Sequence, residues 1–445
     1  MSGRETVQKL LRLIETAAED AMAEYETHGE TIPTLDSTSV HPLDIAEDAL
    51  ALRKAIRVLE GACEQLCSLL APPAHTIVNR AQALDWACLK FAVEARIADI
   101  LREKPEGVHL KDLSQSTGIE SGKLSHVLRL LTSENIFKEV KPETFANNRL
   151  SCYLLFSNGI SSLAYCQAGY APKGAVELYN HFMDPVTGVS YSPNTSPYMR
   201  AVQNDGVAGT FFNWLIAHPK ERSTFGQAMV GLGHVMNSLA ILHHFPWSEC
   251  STVCDVGSGV GAFSLPLAKT YPHLKISLFD LEETVGQARE YWMREFPEAI
   301  KSSQVEFISG DFFQNIPASN QDVYYLRNVI HNWPDAQAQN ILQTVRSAMG
   351  PNSRLLIHDY VLSHTQQTKL EEAEVEIAPP PLLPNFGAGA MRTYNQDLTM
   401  LIMYNSKERT LDESVTLASE VGLRLLKVWD LAEASVLEFR LPSSN

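Results

Sequence analysis

The sequence lacks any apolar run that approaches the roughly 18 residues needed for a membrane span, although 45% of its 445 residues are hydrophobic. Its amino-terminal segment, MSGRETVQKLLRLIE, mixes charged residues into an amphipathic helical pattern. That segment has neither the apolar stretch nor the small-residue cleavage site of a secretory signal. These absences predict a cytoplasmic protein that does not enter the membrane.

Positive charge and cysteine are both scarce. Lys and Arg number 36 against 52 Asp and Glu, which leaves a net charge of −16 and disfavours nucleic acid as the main partner. The seven cysteines are odd in number and scattered, as expected of reduced thiols rather than of a disulfide framework. Neither Cys63 and Cys67 nor Cys250 and Cys254 have histidines at ligand spacing, so we predict no metal site.

The chain is longer than one hydrophobic core usually organises, which predicts at least two domains. Residues 1–30 read as a helix, and THGETIPTLDSTSVHP (27–42) has the Pro, Ser and Thr content of a linker. We therefore predict three parts: an amino-terminal helix and arm (1–42), a mainly helical domain (43–249), and an α/β domain (250–445).

The middle region contains a winged-helix pattern. The segment LDWACLKFAVEARIADIL (84–101) predicts one broadly apolar helix. Helices at 110–116 and 121–133, with a turn at Gly118, precede a strand at 136–140 and a hairpin that reaches Leu150. This order can bind DNA, but its second helix offers only Lys123, His126 and Arg129 in an acidic chain. Subunit pairing is therefore favoured over DNA binding.

From Thr252 onward, short β-rich runs alternate with helical segments. This alternation predicts a mainly parallel sheet with helices on both faces, in which ligands bind beyond the carboxyl ends of the strands. The first such strand ends in the glycine-rich CDVGSGVGAF (254–263). A glycine-rich turn of this kind could also be only a tight connection between strand and helix.

Acidic residues near the glycines favour a nucleotide-like ligand. Asp280 follows Gly259 by 21 residues, close to the position at which an acidic side chain binds a ribose diol. The glycines lack the Gly-x-Gly-x-x-Gly spacing of dehydrogenases. Asp255 would repel a pyrophosphate but attract a cationic sulfonium, while Asp311 and Phe312 offer a carboxylate and an aromatic face to adenine. These features predict S-adenosylmethionine as the cofactor.

The segments DVGSGVG, FDL, GDFF, YYLRNVIHNWPD, LLIHDYVL and NSKERT, in that order, resemble the plant and fungal S-adenosylmethionine-dependent O-methyltransferases. The resemblance extends from about residue 84 to about residue 441. It implies a Rossmann-like methyltransferase domain at 250–445, preceded by a winged-helix dimerisation domain at 43–249 that also carries acceptor-pocket helices. It further implies a homodimer and a small-molecule acceptor.

The resemblance also implies a set of cofactor contacts: Gly257, Ser258, Gly259, Asp280, Asp311, Phe312 and Arg327. It implies His331 as a general base, with Asp359 and Glu408 as its acidic partners. The sequence departs from the family at Asn332, where many relatives carry Asp. Taken singly, His331 could instead cap or pack a helix, Asp359 could be a turn residue, and Glu408 could be a solvated partner of Arg409.

The segment 209–238 is rich in aromatic residues and methionine and resembles the helical pair that roofs the acceptor pocket in this family. We predict four pocket residues: Phe211, Trp214, Met229 and Met403. The alternative is that such side chains are ordinary core. The insertion at 371–396, with a Pro run and two glycines, predicts a mobile loop over the same pocket.

These features predict an O-methyltransferase of secondary metabolism that acts on an aromatic or polyketide-like hydroxyl. Two alternatives stay open. The first is a catalyst of dehydration or pericyclic rearrangement that uses the sulfonium charge together with Arg327 or His331 but transfers no methyl group. The second is a non-enzymatic winged-helix binding protein, which would leave His331, Asp359 and Glu408 unexplained.

Overall fold

The computed structural model describes residues 2–29 and 31–442. The chain begins with a helical hairpin and a shorter helix: α1 (Gly3–His28), α2 (Leu50–Leu70) and α3 (Pro73–Ala81). A capping box starts α1, because the Ser2 N–H donates to Glu5 Oε2 at 2.8 Å and the Glu5 N–H donates to Ser2 Oγ at 3.3 Å. Met1 and Glu30 of the predicted helix lie outside the described residues. The domain boundary predicted at 42/43 stays a prediction, although it would separate α1 from α2, which pack together.

The insertion at 371–396 packs against this hairpin, whereas the sequence predicted a mobile loop over the acceptor pocket. Its Leu382 and Phe386 are buried with residues of α1 and α2. Gln65 of α2 donates to the Pro381 carbonyl at 2.8 Å. Gly61 makes the close approach possible, since a Cβ there would lie 2.5 Å from the Phe386 carbonyl oxygen. The sequence pattern could not reveal that α1 and α2 offer this apolar surface.

The winged-helix region follows: α4 (Asp85–Glu94), α5 (Ile97–Ile100), β1 (Val108–His109), α6 (Leu110–Thr117), α7 (Ser121–Ser133), β2 (Lys138–Lys141) and β3 (Thr144–Ala146). Its strands form an antiparallel sheet in the order β1-β3-β2. The single helix predicted over 84–101 is wrong. The chain turns at Arg96, which has a left-handed φ of 54° and a guanidinium 4.3 Å from the Phe156 ring centroid.

Six further helices lead to the α/β domain: α8 (Gly159–Ala175), α9 (Leu178–Met183), α10 (Pro197–Ala201), α11 (Phe211–Ala217), α12 (Pro219–Val235) and α13 (Ile241–His244). The helical pair predicted within 209–238 is confirmed as α11 and α12. No single helix within residues 2–29 and 31–442 is long and apolar enough to span a membrane; one bent pair, Pro219–Val235 with Ser238–His244, passes on length and composition alone. The cytoplasmic location stays a prediction.

The α/β domain contains the remaining elements: β4 (Thr252–Val256), α14 (Ser264–Thr270), β5 (Lys275–Asp280), α15 (Glu282–Glu295), α16 (Pro297–Lys301), β6 (Val305–Ser309), β7 (Val323–Arg327), α17 (Asp335–Ala348), β8 (Arg354–Asp359), β9 (Val361–Leu362), α18 (Lys369–Glu374), α19 (Met391–Tyr404), β10 (Arg409–Thr410), α20 (Leu411–Glu420), β11 (Arg424–Asp430) and β12 (Ser435–Arg440).

Seven of these strands form one sheet in the order β11-β12-β8-β7-β4-β5-β6. Strands β4 to β8 are parallel, whereas β12 and β11 add an antiparallel hairpin at one edge. The predicted mainly parallel sheet is confirmed. Buried clusters cover both of its faces. Strands β9 and β10 pair separately, in parallel, and bring the chain around Glu408 beside the carboxyl end of β8.

Candidate active site

The glycine loop after β4 adopts a backbone that side chains would disturb. Gly257, Gly259 and Gly261 have φ angles of 72°, 57° and 77°, in the left-handed region where only glycine is free of strain. A Cβ on Gly257 would lie 2.8 Å from Val329 Cγ2, and one on Gly261 would lie 2.6 Å from Trp292 Nε1. A Cβ on Gly259 would meet open space, so the middle of the loop is free to face a ligand.

Acidic side chains surround this loop at the ends of neighbouring strands. Asp280 accepts hydrogen bonds from the Gly259 N–H at 2.8 Å and the Leu281 N–H at 2.7 Å. Burial raises the pKa of Asp280. Asp311 lies after β6, and the ring of its neighbour Phe312 would approach a Gly257 Cβ to 3.7 Å. The fold therefore brings the glycines, Asp280 and the segment of Asp311 and Phe312 to one edge of the sheet.

A second polar group lies beneath the loop. Asp255 is buried and accepts a hydrogen bond from Ser264 Oγ at 2.6 Å. Burial raises the pKa of Asp255 to about 6, against the opposing effects of Ser264 and Arg327. Arg327 ends β7, and its Nη1 lies 3.4 Å from Ser238 Oγ. Sequence reasoning missed Ser264, because the spacing of nine residues carries no recognisable pattern outside the fold.

His331 lies in the turn that follows β7. Its Nδ1 is 2.6 Å from Glu408 Oε1, and both side chains are buried. Nε2 has no hydrogen-bond partner among the described residues. Asp359, at the end of β8, contacts the backbone of the turn, where it accepts the Asn328 N–H at 2.9 Å. The predicted trio is thus brought together, with Glu408 on the ring and Asp359 on the main chain.

The charges around His331 oppose the effect of burial. Burial alone lowers its pKa, but the carboxylates of Glu408 and Asp359 raise it to about 9. Burial likewise raises the pKa of Glu408 to about 7, against the attraction of His331. Because Nδ1 and Oε1 share one short hydrogen bond, the two groups titrate as a pair. The direction that the geometry supports is a more basic imidazole, since the Glu408 carboxylate contacts the ring and the Asp359 carboxylate binds the same turn.

The predicted acceptor-pocket residues are mostly packed. Phe211, Trp214 and Met403 are buried in one cluster, whereas Met229 is half-buried at its margin. The rings of Phe211 and Trp214 stack with centroids 6.0 Å apart. Trp214 Nε1 donates to Asp205 at 2.8 Å. This packing favours the alternative reading of a core aromatic cluster, and a role in acceptor binding stays a prediction for these four residues.

Two further features near the site were not predicted. Arg409, next to Glu408, is buried against the turn that carries His331. The Tyr325 hydroxyl lies 2.6 Å from His358 Nδ1 between β7 and β8. Burial, reinforced by Arg327, lowers the pKa of His358 to about 3. No group of three His, Cys, Asp or Glu within the described ranges is arranged to hold a metal ion.

Residues 179–424 match the model of the O-methyltransferase domain, and residues 82–157 match that of the O-methyltransferase dimerisation domain. The chain belongs to the O-methyltransferase family. Asn332, Arg409 and the rest of the turn region all fall within the first match.

Whole-chain relatives agree with this assignment. The chain is 38% identical over 438 residues to 3-O-methyltransferase 2 of Phanerochaete chrysosporium, covering 97% of this chain and 96% of the relative. It is 32% identical to O-methyltransferase gedA of Aspergillus terreus, with coverages of 96% and 94%. The solved structure of human N-acetylserotonin methyltransferase in complex with S-adenosylmethionine has the same fold, with a TM-score of 0.66, 22% identity and coverages of 84% and 99%.

These comparisons identify the chain as an O-methyltransferase, and the human methyltransferase of the same fold binds S-adenosylmethionine as its cofactor. The match to the dimerisation domain supports a homodimer. The winged-helix region is therefore associated with dimerisation in this family. The cofactor fits the structure on one independent observation: the space above Gly259 is open while the glycines on either side of it are closely packed.

Proposed function

We propose that this O-methyltransferase transfers a methyl group to the hydroxyl of a small aromatic or polyketide-like molecule of secondary metabolism, with His331 as the general base. The supporting observation is the 2.6 Å contact of His331 Nδ1 with Glu408, which leaves Nε2 available. In the neutral imidazole, the Nδ1–H donates a hydrogen bond to the Glu408 carboxylate, so Nε2 is the nitrogen with a free lone pair. That tautomer is the one needed to accept a proton.

We assign the cofactor contacts on the basis of the same sheet edge. The backbone of Gly257, Ser258 and Gly259 would approach the aminoacyl part of the cofactor most closely. Asp280 would accept hydrogen bonds from the ribose hydroxyls. Three others would complete the site, with Phe312 and Asp311 against the adenine and Arg327 at the end of β7. When bound, S-adenosylmethionine supplies an electrophilic methyl group on its sulfonium.

The residues of the chain would then handle the acceptor proton. His331 Nε2 takes the proton from the acceptor hydroxyl as the oxygen attacks, and Glu408 stabilises the imidazolium that results. Asp359 holds the backbone of the turn through Asn328, so the imidazole keeps its direction. The side chains of His331 and Glu408 are both nearly inaccessible to solvent. Their burial keeps water away from the proton that moves.

The test follows the methyl group and the base separately. The protein is incubated with methyl-labelled S-adenosylmethionine and a panel of phenols and polyketide-derived alcohols, and label is sought in the product. We expect His331→Gln to lower turnover by about 10²–10⁴-fold with nearly unchanged affinity for S-adenosylmethionine in calorimetry. The control is His273→Gln, an exposed histidine that contacts the Cys250 carbonyl near the start of β4.

Three results would contradict the proposal. Full turnover in His331→Gln would show that His331 is not the general base. Conversion of an acceptor that depends on the cofactor but yields no labelled product would favour the rearrangement alternative. Equal losses in His331→Gln and His273→Gln would point to a general effect on stability.

A further inference from the structure

Arg409 donates hydrogen bonds to the main chain of the turn that carries His331. Its Nη1 donates to the Ile330 carbonyl at 3.2 Å and its Nη2 donates to the Trp333 carbonyl at 2.9 Å. One guanidinium therefore spans the turn and holds the carbonyl groups on both sides of His331. The Arg409 side chain is only 5% exposed, so these hydrogen bonds are shielded from water.

The same guanidinium also anchors the turn to the helix that follows. Nε and Nη2 of Arg409 donate to Asp335 Oδ1 at 3.0 and 2.8 Å, and Asp335 is the first residue of α17. Lys407 Nζ lies 3.5 Å from the other carboxylate oxygen. Arg409 thus satisfies two carbonyl groups and a carboxylate at once, which suits the planar fork of a guanidinium and not the point charge of a lysine.

The adjacent residues Glu408 and Arg409 contact different parts of the turn that carries His331. Glu408 contacts the imidazole, whereas Arg409 contacts the main chain of the turn. Side chains of consecutive residues in an extended segment point in opposite directions. The turn that carries His331 packs against this segment and therefore contacts both Glu408 and Arg409. Pairing of Arg409 with Val361 in β9 ties the segment to the strand that follows Asp359.

We propose that Arg409 is a positioning residue that fixes the turn and thereby the orientation of the His331 imidazole. The inference rests on the proposed function, because it assumes that His331 acts as the base. It goes beyond that function by assigning a role to a residue that does not contact the reacting atoms.

Three charged side chains affect the pKa of the His331 imidazole: those of Glu408, Asp359 and Arg409. Burial lowers the pKa of His331, Glu408 and Asp359 raise it, and the positive charge of Arg409 lowers it. Asp397 of α19 lies behind Glu408 and accepts its N–H at 3.0 Å. Loss of the Arg409 charge should therefore raise the pKa of His331, while loss of its hydrogen bonds should loosen the turn.

The experiment compares Arg409→Gln and Arg409→Lys in the full chain. The pKa of His331 is followed by carbon-13 NMR of labelled histidines, without cofactor or acceptor, and its signal is assigned by its absence in His331→Gln. The matched control is Arg354→Gln. Arg354 is another largely buried arginine of the sheet, paired with Glu249 at 3.0 Å, and it begins the strand that Asp359 ends.

We expect Arg409→Gln to raise the pKa of His331 and to lower turnover of a labelled phenol by about 10–100-fold, because small misplacements of a catalytic group are costly. Arg409→Lys should keep the pKa near that of the wild type but recover turnover only in part. Arg354→Gln should reduce thermal stability without moving the pKa. A KM for S-adenosylmethionine that stays constant would separate positioning from cofactor binding.

The proposal is overturned if folded Arg409→Gln keeps the wild-type pKa and turnover, or if Arg354→Gln shifts the pKa as much. Should Arg409→Gln fail to fold, Arg409→Lys decides, and full turnover in that variant would contradict the proposal. The NMR titration does not depend on methyl transfer. A shift of the pKa in Arg409→Gln together with full turnover in His331→Gln would therefore reject the proposed base and leave the electrostatic effect standing.

Discussion

His331 Nδ1 and Glu408 Oε1 lie 2.6 Å apart although 77 residues separate them in the chain. The pairing of β9 with β10 makes this contact possible, because it returns the chain to the carboxyl end of β8 just before α20 begins. The contact joins two buried ionisable groups, so its consequences should be visible in the pH dependence of the enzyme.

We expect the acid side of the kcat/KM profile to follow the proton affinity of His331. A base must be neutral to accept a proton, so activity should rise with pH toward the pKa of about 9. Glu408→Gln removes a negative charge that raises this pKa, and the midpoint should move to lower pH by about 1–3 units. Asp359→Asn should move it in the same direction while the bond to Nδ1 is kept.

Asp322→Asn is the control for this pH profile, since Asp322 accepts the Ser251 and Thr252 N–H groups at the opposite end of the sheet. Its profile should match that of the wild type. A midpoint that stays in place, or rises, in Glu408→Gln would refute the electrostatic account.

Asp280 should contribute to cofactor affinity in two ways. In the proposed site its carboxylate accepts hydrogen bonds from the ribose hydroxyls, and in the structure it accepts the Gly259 N–H at 2.8 Å. We expect Asp280→Ala to weaken S-adenosylmethionine binding by about 1–3 kcal/mol in calorimetry, the usual cost of leaving such partners unpaired. Asp322→Ala also removes a carboxylate that accepts two backbone N–H groups, and equal losses of affinity in the two variants would contradict a ribose contact.

Two glycines of the loop allow the effect of a steric clash on stability to be separated from the effect of backbone strain. Gly261→Ala should lower the free energy of unfolding by about 1–3 kcal/mol through its left-handed backbone, and further through the clash with Trp292 Nε1 at 2.6 Å. Gly259→Ala has a comparable backbone but open space around the new methyl group. Chemical denaturation should therefore show the larger loss in Gly261→Ala, and a larger loss in Gly259→Ala would be unexpected on these contacts.

Exposed apolar residues at the start of the dimerisation region predict how the subunits pair. Leu84 and Trp86 are 58% and 41% exposed in the single chain and lie within the family match at 82–157. Light scattering should give twice the 49.4 kDa mass of one chain, and Trp86→Glu should shift the population toward a single chain. Leu426→Glu, at an equally exposed site on β11, should leave the dimer intact. Equal effects of the two substitutions would argue against this interface.

Much of the α/β domain could be read from the chain alone. Runs such as KISLFD and QVEFIS became β5 and β6 within a residue or two of their predicted limits, because both are short and rich in residues that favour strands. The order of the strand ends also predicted that the glycine loop, Asp280 and His331 would share an edge. These features depend on local composition and on sheet topology, and a chain of alternating strands and helices can adopt only a few topologies.

Other features were decided only by tertiary packing. The break at Arg96 within an unbroken apolar pattern, and the burial of Leu382 and Phe386 against α1 and α2, carried no local signal. The burial of Phe211 and Trp214 within an aromatic cluster was one of two readings that the sequence left open.

The same division holds within the site. The residue types at His331, Asp359 and Glu408 were evident from motifs, but not which carboxylate binds the ring and which binds the main chain. Nor did the motif indicate that Arg409 would hold the carbonyl groups around the base. Periodicity and motif order are properties of short stretches of chain, so the sequence by itself determined the strands, the glycine loop and the candidate residues. Hydrogen-bond partners and contacts between distant segments depend on distances and directions in space, and only the folded structure decided them.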